Sequence, residues 1–186
     1  INNNVLVVQG MGTPLVFSAF LLAKYTNSPD VQFMYTVGNT ISQNTDKLTL
    51  SKIEANTMEN AQKFVSMTQM HLEIVPSLYP MEFMRPAQID KFGNTNNVVI
   101  GNYYHPKVRL PGSAGIGDVS SFNHNLFFYI TDHSKRTLVE KLDFCSSVGY
   151  GEKEKELKKM GVGSRGPQEI ITNKCVFDLS KHEAEL

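Results

Sequence analysis

The sequence predicts one α/β domain, and three observations predict it. A β-branched run, Val5 to Val8, stops at Gly10-Met11-Gly12, gives way to a helix signal at Thr13-Pro14, and is followed by a second β-rich segment, Val31 to Val37. Strand, helix, strand in that order implies a right-handed parallel crossover. Further on, Leu126 to Thr131 reads as a fully buried strand of the kind found in sheets covered on both faces. The length of 186 residues suits a single domain, since a chain of this size buries roughly 70% of the surface it exposes when unfolded.

The elements follow in order. Thr13 is expected to cap a helix from Pro14 to about Tyr25 that is apolar on nearly every face, and so covered on all sides by sheet and partner. Asn27-Ser28-Pro29 returns the chain to the second strand, which Gly38-Asn39 closes. Ser42 to Ser51 reads as a polar surface excursion. Thr57 to Val65 holds a short helix begun by Thr57, and Thr68 to Ile74 a second that ends before Pro76 and carries a half-exposed His71. Met81 to Met84 is a strand. Asp90 and the Gly93-Asn94 pair then form a turn, because glycine accepts positive φ and the Asp and Asn side chains bond nearby backbone. Val98 to Ile100 is a strand, Asp118 caps a helix running to about Asn123, and His133 sits in a turn. Leu138 to Phe144 reads as a strand. Gly151 to Met160 is a solvated charge run with Glu154 and Lys158 at i, i+4 spacing, and Ile170 to Phe177 is a hairpin turning at Asn173-Lys174.

Composition narrows the function. Acidic and basic residues balance at 18 each, so composition argues for neither a basic field for nucleic acid nor an acidic tail. The apolar run from Leu15 to Ala23 is far shorter than the ~20 residues of a membrane span. Cys145 and Cys175 have no partners at metal-ligand spacing and read as reduced thiols of a cytoplasmic protein. No metal and no permanently bound cofactor is expected. The chain opens on Ile1-Asn2-Asn3-Asn4 and is expected to be incomplete at both ends.

The stretch best suited to chemistry runs from Gly101 to Asp118, G-N-Y-Y-H-P-K-V-R-L-P-G-S-A-G-I-G-D. Few side chains obstruct the loop at Gly112, Ser113, Gly115 and Gly117, so its amides can converge on an anion or a developing oxyanion. A tight connection between strand and helix is the alternative reading. The loops at Gly10 to Gly12 and Thr36 to Gly38 follow parallel strands at their carboxyl ends, where open α/β sheets bind ligands.

From Pro86 to Phe177 the chain resembles the β subunit of family I coenzyme A transferases of the glutaconate type. The words that carry the resemblance are A-Q-I-D-K-F-G-N-T-N from Ala87, I-G-N-Y-Y-H-P-K-V-R-L-P-G-S from Ile100, V-E-K-L-D-F from Val139 and G-P-Q-E-I-I-T-N from Gly166. Gly10 to Leu15 and Pro29-Asp30 extend it more loosely. The resemblance implies a three-layer α/β fold with a mainly parallel sheet, a coenzyme A thioester as substrate, and an α subunit as partner in a heterodimer or α2β2 assembly. It also implies a glutamate, two positions before a glycine, that attacks the acyl-CoA. Aligned on Pro29-Asp30 and Gly38, the chain has Thr36 at that position, and no carboxylate falls between Asp30 and Asp46.

Two readings follow from that departure. In one, the chain is an enzyme subunit acting on a carboxylated acyl-CoA by C–C hydrolysis, decarboxylation or transfer with a displaced nucleophile. Gly112, Ser113, Gly115 and Gly117 hold the thioester carbonyl or a carboxylate, Gly10, Gly12 and Gly38 line the site, and Thr36 and Gln88 are polar wall residues. In the other, it is a non-catalytic scaffold that completes the α chain's pocket.

Overall fold

The computed structural model describes residues 4–10, 13–43, 55, 58–163 and 166–185. The chain divides into two compact units, Ile1–Phe83 and Met84–Leu186.

The first unit runs β1 (Leu6–Gln9), α1 (Pro14–Thr26), β2 (Gln32–Tyr35), β3 (Thr40–Ser42), β4 (Lys63–Phe64), α2 (Met67–Gln69), a π-helical turn (Met70–Ile74), α3 (Val75–Leu78) and β5 (Met81–Met84). β1 pairs in parallel with β2, Val7 opposite Phe33 and Val8 opposite Met34, and on its other edge with β5, Val8 opposite Glu82. β3 adds antiparallel to β2 and β4 antiparallel to β3; the excursion expected from Ser42 begins at the last residue of β3, and residues 44–51 of it lie outside the described residues.

Strand alternation gives this sheet two apolar faces. Phe33 and Tyr35 meet Phe17 of α1 at ring distances of 5.9 and 6.1 Å, and Phe20 stands 5.8 Å from Phe83. Val8 and Met34 point the other way, into a cluster with Val65, Met70 and Val75. Within this chain α1 is covered on one side: Val16, Phe17 and Phe20 are buried, whereas Leu15, Leu22 and Tyr25 are 59%, 66% and 64% exposed. Thr13 precedes the helix but makes no side-chain cap, because its hydroxyl turns back to the Gly10 carbonyl.

The predicted second helix starts at a capping box, with Ser66 and Gln69 exchanging hydrogen bonds of 3.1 and 3.0 Å, and runs through Pro76 instead of ending before it. Proline lacks an N–H and crowds the preceding turn, and the wide π turn immediately before it relieves both demands. The helix expected from Thr57 to Val65 is present only around Met58 and Glu59; Thr57 lies outside the described residues, and Lys63-Phe64 pair with β3.

The second unit contains β6 (Gln88–Ile89), β7 (Thr95–Asn96), β8 (Val99–Gly101), β9 (Pro106–Arg109), α4 (Ile116–Phe122), β10 (Leu126–Ile130), α5 (Glu152–Lys159), β11 (Glu169–Thr172) and β12 (Val176–Asp178). β10 and β11 are parallel, with Phe128 opposite Ile170, and β12 closes the predicted hairpin on β11 with Ile171 opposite Val176. Leu126, Phe128 and Ile130 alternate into a core with Ile89, Ile116, Val119 and Ile170. The predicted turn at Asp90 is present: its Oδ1 accepts from the Phe92 and Asn94 amides at 2.9 and 3.0 Å, and Oδ2 accepts from the Asn94 side chain at 2.9 Å. Glu154 and Lys158 pair at 2.6 Å on α5.

Leu138 to Phe144, expected to be a strand, is an irregular strap. Val139 donates to the Ile89 carbonyl and Ser146 to that of Thr95, while Asp143 accepts from Gln88 at 2.9 Å. A strap bonded to both short strands of the β6–β7 hairpin has no room for a regular ladder.

Candidate functional site

The sequence-predicted residues gather in two places, one in each unit. In the first unit, Gly10 and Thr36 follow the carboxyl ends of β1 and β2. The amide and the hydroxyl of Thr36 both donate to the Gln9 carbonyl, each at 3.1 Å. Gln9 Nε2 donates in turn to Thr13 Oγ1 at 2.7 Å, and Thr13 Oγ1 to the Gly10 carbonyl at 3.0 Å. These bonds tie the ends of the two strands together, while Gln9 Oε1 is buried with no hydrogen-bond partner among the described residues. The outcome for Thr36 is chemical: the hydroxyl donates to a main-chain carbonyl, and among the described residues no base accepts its proton. Gly38, with φ +88°, and Asn39, with φ +54°, turn the chain from β2 into β3. Gly12 lies outside the described residues.

In the second unit, the glycine-rich stretch is only partly a loop. Its first half is the β8–β9 hairpin, whose tip is tied by the Asn102 side chain accepting from the Tyr104 and His105 amides. β9 is largely exposed on both faces, Lys107 and Arg109 on one and Pro106 and Val108 on the other, so no buried side marks it as a strand. The helix that follows begins at Ile116 with Gly115 at the cap position, and Asp118, predicted as the cap, lies in its first turn. Gly112 takes φ +111° and Ala114 φ +45°, a conformation that costs a residue with a Cβ and is usually held by its surroundings. Ser113 is half-buried; its carbonyl accepts from the Ile116 amide at 3.0 Å, and its hydroxyl bonds no other described residue. Gly117 sits inside α4, where a Cβ would come within 3.4 Å of the Ser146 carbonyl.

The loop borders a cavity of about 500 Å³ at the carboxyl end of β10, walled by Arg85, Asn97, Gly112, Ile130, Asp132 and Thr137 among others. Asn97 holds two of these walls. Its carbonyl accepts from the Gly112 amide at 3.0 Å, its Oδ1 accepts from the Ala87 amide at 2.6 Å, and its Nδ2 donates to the Arg85 carbonyl at 3.4 Å. Sequence reasoning named neither Asn97 nor Arg85, because both work through contacts remote in the chain. Gln88, predicted as a wall residue, is buried, with its Oε1 accepting from Asn96 at 2.7 Å and its Nε2 donating to Asp143. Both ends of its amide are engaged inside the protein.

Glu82 is the other group the sequence did not single out. It is 5% exposed on β5, its Oε2 has no hydrogen-bond partner among the described residues, and burial pushes its pKa up to about 8. The signal was a lone carboxylate in the otherwise apolar run Met81 to Met84.

The Coenzyme A transferase family model matches residues 1–186. The chain belongs to the coenzyme A transferase family. Among its relatives is the β subunit of 3-oxoadipate CoA-transferase from Pseudomonas knackmussii, 35% identical over 96% of this chain and 67% of the relative. The chain thus spans about two thirds of that protein's length. The structure of glutaconate coenzyme A-transferase from Acidaminococcus fermentans superposes with a TM-score of 0.82 at 26% identity, over all of this chain and 73% of the other. The decarboxylase AibA/AibB has the same fold, with a TM-score of 0.82 at 19% identity over 99% of this chain and 70% of the other. The family's three-layer α/β fold, with parallel inner strand pairs, accounts for the helices found on both faces of the first unit's sheet. Among the described residues, no helix is long and apolar enough to cross a membrane.

Proposed function

We propose that the chain is the β subunit of a two-subunit enzyme that consumes a carboxylated acyl-CoA by C–C hydrolysis or decarboxylation, without a covalent glutamyl thioester on this chain. The observation that carries the reading is Thr36, which stands where the resemblance places the family's nucleophilic glutamate and whose hydroxyl proton is directed to the Gln9 carbonyl. Transfer through a carboxylate needs a mixed anhydride that the departing thiolate can reopen, and a threonine hydroxyl does not form one. The loop around Ser113 and Gly115 supplies amides for the thioester oxyanion, and the catalytic acid or base comes from the partner subunit. The names of the relatives, each a β subunit or a two-subunit enzyme, support the partnership. A cytoplasmic setting agrees with the free thiols of Cys145 and Cys175.

A second reading, ordinary CoA transfer, is favoured by the 35% identity to a transferase subunit. The two are separated by incubating the co-expressed subunits with a dicarboxylic acyl-CoA and searching each polypeptide by mass spectrometry for covalently held CoA. We expect acyl-CoA consumption and no adduct on this chain. An adduct on it would restore the transferase reading, and no consumption at all would leave a scaffold.

A further inference from the structure

We propose that Arg85 reads a second negative charge on the substrate, a remote carboxylate of the acyl group received in the cavity beside the glycine loop. The inference rests on the acyl-CoA reading above and adds the residue that would select its substrate. Arg85 lines the cavity, and among the described residues its guanidinium makes no ion pair and no hydrogen bond. Its place is nevertheless fixed. Pro86 restricts it to extended backbone, its carbonyl is held by Asn97, and Asn97 also binds the Ala87 amide on the other side of Pro86. The same asparagine anchors Gly112, so the cation and the start of the glycine loop are set by one residue. Pro86, Leu110 and Ile130 make much of the wall between them apolar, as a short carbon chain ending in an anion requires.

The charge pattern distinguishes the anion. The lining has one cation, Arg85, and one acid, Asp132. That balance suits a single carboxylate seated on the planar fork of a guanidinium, and disfavours the several charges of the phosphates of coenzyme A.

The test is calorimetric titration of the full chain, assembled with its partner subunit, using glutarate, butyrate and free coenzyme A as probes. Wild type should bind glutarate more tightly than butyrate. Arg85→Met should lower glutarate affinity about tenfold or more, to the level of butyrate, as expected for loss of a charged hydrogen-bond pair. Arg85→Lys should keep part of the preference, Asp132→Asn should raise glutarate affinity, and coenzyme A binding should be unchanged by Arg85→Met. Equal affinities for the two acids in wild type, an unchanged preference in Arg85→Met, or a loss of coenzyme A affinity instead would each overturn the inference. The titration needs no turnover, so its outcome is separate from whether the enzyme consumes acyl-CoA. Thermal melts of the variants establish that each is folded, and the exposed Arg85 side chain gives no reason for loss.

Discussion

Glu82 shows how one residue can impose a pH dependence on a fold. It lies opposite Val8 on β5, on the sheet face that Val8 and Met34 share, and burial raises its pKa from 4.5 to about 8. Between those two values the folded chain holds a proton that the unfolded chain has released, so stability falls as pH rises through the window and levels off above it. Glu82→Gln should remove that slope, with thermal melts at about pH 5 and about pH 8 agreeing more closely than in wild type. A variant with the same slope as wild type would place the titration elsewhere. Other single residues were legible in the sequence but with a different task. The words that carry the family resemblance contain Gln88, Asp90 and Gly166, and each is architectural here. Gly166 has φ +63°, and a Cβ there would fall 2.5 Å from the Tyr150 ring, whose hydroxyl donates to the Pro167 carbonyl. Recurrence of such words identifies the fold sharply and the chemistry only indirectly.

Among the elements, strands and helices with clear periodicity were legible: β1, α1, β2, β5, β10 and the β11–β12 hairpin lie where composition and turn residues place them. The misses share a cause. β9 pairs with its neighbour β8 and has no buried face to mark it, and the strap after Leu138 owes its conformation to bonds with distant backbone, so in neither does a local pattern record the element. The same holds for the cavity, whose walls meet through Asn97. Replacing Asn97 with alanine removes the acceptor of the Ala87 amide and the donor to the Arg85 carbonyl. We expect a loss of about 1–3 kcal/mol of stability in denaturant titrations. In the assembled enzyme KM for a dicarboxylic acyl-CoA should rise more than kcat falls. A change in kcat alone would assign Asn97 to the reacting centre.

For the whole molecule, the informative surface is α1. One side of the helix is buried against Phe33 and Tyr35, and the other presents Leu15, Leu22 and Tyr25. Its all-round apolar composition signalled cover on both sides, and this chain supplies only one. With the partner subunit proposed above as the missing cover, Leu22→Lys should leave the melting temperature of the isolated chain within a degree or so, as an exposed substitution does, and abolish co-purification with the partner. Retained co-purification would assign the face to another contact. The Asp90 turn has a consequence for how the second unit comes together. All three of its side-chain bonds close within four residues, whereas Asn94 and Thr95 wait for Gly149 and Ser147, more than fifty positions later in the chain. Closing a short loop costs little chain entropy and takes far less time than closing a long one. The β6–β7 hairpin is therefore expected to form early, as a template on which the strap later condenses.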